Sequence, residues 1–125
     1  EPKIYFYDSG FIKADEGIRL ENTCAVCLLK HVQYLQDAVG EDVELHYVRT
    51  KDGREVDFAL SRQGKVEQLI EIKLSDDVPS SSLHFFLKRI PEASACLLVH
   101  NLRREQQRDA VSVRMAGKWL AGLSA

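Results

Sequence analysis

The sequence contains no apolar run approaching the ~20 residues that a membrane-spanning helix needs, so no membrane partner is expected. Cysteine is scarce and odd in number. Cys24, Cys27 and Cys96 lie in apolar stretches, which suits free thiols in a reducing compartment better than a disulfide framework and points to the cytoplasm. Neither sign of charge dominates: 17 basic residues face 19 acidic ones, which argues against tight nucleic-acid binding by bulk phosphate neutralisation. A local basic patch remains compatible with that total. There is no internal repeat and no Gly-Lys-Ser/Thr phosphate loop, and the nearest approach to a linker is the short Pro79-Ser80-Ser81-Ser82 run. The opening Glu1-Pro2-Lys3-Ile4-Tyr5-Phe6 has neither a Met start nor the apolar region of a signal peptide, and reads as the start of a fragment cut from a longer chain.

What is present suits one soluble globular domain over residues 1–125. The length is enough for one real core, and the 45% hydrophobic and 29% charged fractions are ordinary for such a domain. Residues 3–7 read as a short strand, ended by Asp8-Ser9-Gly10. Ala25, Leu28, Leu29, Val32, Leu35 and Val39 recur at helical spacing, which predicts a helix over 20–39 closed by Gly40. Strand patterns follow over 43–50, 55–60 and 66–73, joined by turns at Asp52-Gly53 and around Gly64, so the middle of the chain reads as an antiparallel meander. Ser80 or Ser81 can cap a second helix, whose stripe is Leu83, Phe86, Leu87 and Ile90 and which stops at Pro91. Residues 95–99 form a buried strand, 101–109 a charged loop that can hold a helical turn, 111–115 a last strand and 116–123 a terminal helix anchored by Trp119. The expected class is α/β: a mixed β-sheet flanked by helices, with a core of helix, three-stranded meander, helix and strand.

The chemistry lies in the meander. Strict alternation in Glu55-Val56-Asp57-Phe58-Ala59-Leu60 turns Val56, Phe58 and Leu60 to one face and Asp57 to the other. In Ile70-Glu71-Ile72-Lys73, Glu71 and Lys73 share a face. A hairpin centred on Gly64 sets Asp57 opposite Glu71, and two facing carboxylates call for a cation. Mg²⁺ or Mn²⁺ suits such oxygen ligands, with the Ile72 carbonyl as a third protein donor and Lys73 beside it to stabilise a phosphate oxygen. Helical steps back from Val32 through Leu28 and Ala25 reach Glu21, which places this acid on the inward stripe as an outer ligand. Equally open is that Glu21 meets the helix dipole and that Asp57, Glu71 and Lys73 are charges on a solvated sheet face.

The order of Glu21 on the first helix, Asp57 on a strand and Glu71-Ile72-Lys73 on the next resembles the PD-(D/E)xK nuclease superfamily. More closely, Ile4-Tyr5-Phe6-Tyr7-Asp8-Ser9-Gly10, Leu20-Glu21-Asn22, Glu55-Val56-Asp57-Phe58 and Ile70-Glu71-Ile72-Lys73 resemble the C-terminal domain of a prokaryotic AAA+-like P-loop ATPase family. That resemblance implies a restriction-endonuclease-like fold and metal-dependent hydrolysis of DNA. Asp57 and Glu71 would be the metal acids, Lys73 the catalytic lysine and Glu21 the helix acid. ATP would bind only through an N-terminal ATPase half. Cys27 stands where many relatives carry a second helix acid, a departure that favours the alternative, a DNA- or protein-binding module retaining the nuclease fold.

Other groups carry weaker signals. Cys24, Cys27 and His31, with Cys96 and His100, suggest zinc, although a single helix is a poor source for most of a zinc site. His84 and Lys88 lie four apart, off the apolar stripe, and could contact a phosphate; Ser75 could donate to one. Both readings compete with a simply wetted surface. Arg103, Arg104 and Arg108 alternate with Glu105 and Asp109, which reads as a solvated loop rather than a DNA patch.

Overall fold

The computed structural model describes residues 16–123. The strand expected over 3–7 lies outside the described residues. Helix α1 (Glu16–Tyr34) begins one turn earlier than its apolar spacing suggested and buries Cys24, Ala25, Leu28 and Val32. Its end widens into a π-helical turn, Leu35–Val39, and Gly40 closes it at φ 78°, where a side chain would be strained.

The meander follows as β1 (Val43–Arg49), β2 (Glu55–Arg62) and β3 (Lys65–Lys73), all antiparallel. Gln63 and Gly64 between β2 and β3 both have positive φ, as a tight two-residue hairpin of right-handed twist requires. Helix α2 (Ser81–Arg89) then crosses over to β4 (Ser94–Val99), which lies parallel to β3. Ser80 is its cap: the Ser80 hydroxyl accepts the Leu83 amide at 3.1 Å. A three-residue strand β5 (Gln106–Arg108), antiparallel to β6 (Val111–Met115), stands where a loop was expected. A short polar edge strand carries no hydrophobic alternation to reveal it. Helix α3 (Ala116–Ala121) ends the described chain.

The described residues thus form a six-stranded mixed sheet in the order β1-β2-β3-β4-β6-β5, flanked by helices. One face packs against α1 and α3 through Leu28, Val32, Phe58, Ile70 and Leu98, with Trp119 partly buried beside them. The other packs against α2 through Leu69, Leu83, Phe86, Leu97 and Val113. Among the described residues no helix is long and apolar enough to cross a membrane.

The alternation expected in β2 fails at one point. Val48 pairs with Val56 and His46 with Ala59, so Asp57 and Phe58 together stand against Tyr47. This β-bulge turns two consecutive residues toward the same side. Val56 therefore joins the α2 face while Phe58 joins the α1 face, and Asp57 turns toward α1 rather than away from Phe58.

Candidate functional site

Beside the Gln63-Gly64 turn, β2 pairs with β3 as Arg62 to Lys65 and Ser61 to Val66; a bulge between Leu60 and Ser61 then shifts the ladder to Leu60 with Gln68, Ala59 with Leu69 and Phe58 with Ile70, the register expected of a hairpin centred on Gly64. One further step would set Asp57 against Glu71, but the ladder stops. There the Ile72 amide donates to the Asp57 side chain, to Oδ2 at 2.8 Å. Because of the bulge, Asp57 meets the first turns of α1, where it lines a cleft with Gly17, Leu20 and Glu21. The inward position of Glu21 follows from the α1 stripe that buries Ala25, Leu28 and Val32.

Glu71 points the other way. It is 7% exposed, and its Oε1 accepts the Ser80 amide at 3.0 Å at the start of α2. The shared face expected for Asp57 and Glu71 is thus corrected: the bulge moves one acid and the α2 cap occupies the other. Lys73 Nζ donates to the Val78 carbonyl at 2.7 Å and to Asp76 Oδ2 at 3.2 Å. Asp76 is a partner the sequence reading missed, although its place three residues beyond Lys73 in a turn offered the signal.

A cleft of ≈ 430 Å³ gathers Glu21, Asp57, Ile72, Lys73 and Ser75, together with Asp76. The structure therefore brings together most of the residues singled out from sequence. His84 and Lys88 stand on α2, the helix of the opposite face, and do not line this cleft. Burial pushes the Asp57 carboxyl up to about 7; the Ile72 amide opposes this, and Glu21 and Glu71 add to it. The neighbouring Cys24 thiol is pushed up to about 12 by burial, with Cys27 and Asp57 adding to it. Burial likewise raises Cys96 to about 12. Two such thiols are poor nucleophiles, and they pack as core residues. Among the described residues no three His, Cys, Asp or Glu side chains lie together in a way that could hold a metal ion. The Cys24, Cys27 and His31 run therefore gathers no zinc site, and Cys24 and Cys96 are free, buried thiols, as the apolar stretches around them suggest. Nor does Glu71 join Glu21 and Asp57 in such a group.

Residues 16–116 match the family described as a domain of unknown function, DUF4143. The chain belongs to the DUF4143 family. No curated protein and no solved structure matches it. The matched stretch of this DUF4143 domain runs from the first residue of α1 to the first residue of α3, and so takes in every residue of the cleft.

Proposed function

We propose that this DUF4143 domain is a metal-dependent, nuclease-like domain that hydrolyses DNA phosphodiesters in the cleft between α1 and β3. The observation that carries the reading is that the Glu21 and Asp57 carboxyl groups, both half-buried, line one cleft that also holds Lys73 and Ser75. Two carboxyl groups forced together away from bulk water are stabilised either by a shared proton or by a cation, and oxygen donors of this kind suit Mg²⁺ or Mn²⁺. Asp57 and Glu21 would hold the ion, with the Ile72 carbonyl and Glu71 as further donors. Glu71 would exchange its Ser80 partner to do so. Bound there, the ion supplies Lewis-acid chemistry toward a phosphodiester. The Lys73 ammonium, already inside the cleft, stabilises charge on a phosphate oxygen, and the Ser75 hydroxyl donates to the same group. Water forms the new P–O bond and one ester P–O bond breaks, leaving a phosphomonoester and a free hydroxyl. On the same reading the domain acts beside a P-loop ATPase half of a longer chain, which alone binds ATP.

A second reading is favoured by two contacts. Glu71 is occupied in capping α2, and Lys73 is held by Asp76 and the Val78 carbonyl. Both groups thus have structural employment, as in a DNA- or protein-binding module that keeps the fold without the chemistry.

The deciding experiment is cleavage of single-stranded, duplex and branched DNA with Mg²⁺ or Mn²⁺, by the wild-type chain and by Asp57→Asn and Lys73→Met. Metal-dependent cutting lost in both variants supports hydrolysis. An uncut substrate, or cutting that survives Asp57→Asn, rejects it.

A further inference from the structure

The parallel strands β3 and β4 end side by side, and the loops that leave them, residues 74–80 and 100–105, stay joined at first, the His100 amide donating to the Lys73 carbonyl at 3.0 Å and the Asn101 amide to the Leu74 carbonyl at 2.7 Å. Crevices at the carboxyl ends of such strands are where open α/β sheets bind ligands. This one is a polar hollow of ≈ 470 Å³ whose walls include Ser75, Asp76, Asp77, Asn101, Arg103 and Arg104. Ser75 and Asp76 also line the carboxylate cleft, so the two hollows adjoin at these residues.

The acids around this groove are already occupied. Asp76 accepts Lys73 Nζ at 3.2 Å and the Val78 amide at 2.9 Å. Asp77 faces Arg108 Nη2 at 3.4 Å and accepts Gln106 Nε2 at 3.0 Å. Glu105, which follows the arginines in sequence, turns away to the Met115 amide at 3.0 Å and Lys118 Nζ at 3.8 Å. Arg103 and Arg104 are exposed, and among the described residues neither pairs with an acid. The groove therefore presents two uncompensated guanidinium groups, together with the Asn101 amide, which donates to the Ser75 hydroxyl at 3.4 Å. Its walls carry no aromatic ring on which a base could stack.

We propose that this groove seats the sugar–phosphate backbone of a DNA strand running into the carboxylate cleft, with Arg103 and Arg104 on its phosphates. The inference deepens the nuclease reading and rests on it for the direction of the strand, while the phosphate contacts themselves do not require cleavage. Charged donors without stacking or base-edge readers give binding that is indifferent to sequence. Each neutralised phosphate releases counterions, so the contacts have a salt signature.

The test measures binding of labelled single-stranded DNA of mixed sequence by anisotropy across a salt series, in EDTA. It uses the wild-type chain, the Arg103→Gln/Arg104→Gln and Arg103→Lys/Arg104→Lys double variants, and Lys65→Gln at the far hairpin. Circular dichroism establishes that each is folded. The glutamine variant is expected to bind every sequence more weakly and to flatten the log–log salt slope by about 1.4, two phosphates at about 0.7 each. The lysine variant is expected to keep the slope, and Lys65→Gln to leave it unchanged. An unchanged slope in the glutamine variant, an equal loss in Lys65→Gln, or no binding by the wild type would overturn the proposal. Cleavage sensitive to Asp57→Asn alongside an unchanged slope refutes the groove and spares the nuclease reading. Arginine-dependent binding without any cleavage does the reverse.

Discussion

Asp57 holds a proton more readily in the folded chain than in the unfolded one, because burial and the neighbouring Glu21 and Glu71 carboxyl groups disfavour its anion. Its folded value lies above its unfolded one, so the stability it contributes is fully present below the ordinary aspartate range. That contribution is lost as pH rises through about 7. Urea unfolding of the metal-free chain should therefore show stability falling between about pH 4 and about pH 7 and levelling off above that, by an amount on the order of one to a few kcal/mol. Asp57→Asn keeps an acceptor for the Ile72 amide and a hydrogen-bonding group for Glu21, and should flatten that slope. A variant as pH-sensitive as the wild type would show that the pair is not the source. This residue was legible in the sequence as a candidate acid, but its direction was not. Period-two alternation sends it away from Phe58, and only the pairing of Val56 with Val48 and of Ala59 with His46 reveals the bulge.

At the scale of elements, the start of α2 is held twice. The Ser80 hydroxyl accepts the Leu83 amide, and the Ser80 amide donates to Glu71. Ser80→Ala should cost about 1 kcal/mol in chemical denaturation, and Ser80→Gly only a few tenths. Glu71→Ala leaves a partly buried amide unpaired and should cost roughly 1–3 kcal/mol, whereas Glu71→Gln keeps an acceptor and should be nearly neutral. The glutamine variant also separates the two functional readings, since it removes a charge without removing the cap. Loss of metal-dependent cleavage at full stability would give Glu71 a role in chemistry; a silent variant would leave it a cap. Helix α1 depends on packing: Leu28 is fully buried against the sheet, and Leu28→Ala should cost about 2–5 kcal/mol. Because α1 carries Glu21, the same truncation should weaken the Glu21–Asp57 contact. In the truncated variant this would be read as a shallower fall of stability with pH.

For the whole molecule, a ligand that binds only the folded state must raise the unfolding midpoint. Mn²⁺ at a hundredfold excess over its dissociation constant should add about 2.7 kcal/mol. The proton on Asp57 competes with the ion, so the shift should be larger above the titration of this group than below it. Asp57→Asn should abolish the shift. A midpoint indifferent to Mn²⁺ and Mg²⁺ would leave the cleft without its cation and favour the binding module.

Local pattern alone specified α1, the meander, α2, β4 and β6, because the 3.6 and 2.0 periodicities and the turns at Gly53 and Gly64 need no distant partner. It also singled out Glu21, Asp57, Lys73 and Ser75, which meet in one cleft. Tertiary structure alone decided how polar groups chose among competing partners. It turned Asp57 toward α1, gave Glu71 to Ser80, paired the edge strand β5 with β6, set Asp77 on Arg108 and Gln106, and drew Glu105 to the Met115 amide, leaving Arg103 and Arg104 without an acid among the described residues. These outcomes depend on register between distant segments and on which donor comes nearest in space. Neither is written in the spacing of residues along the chain.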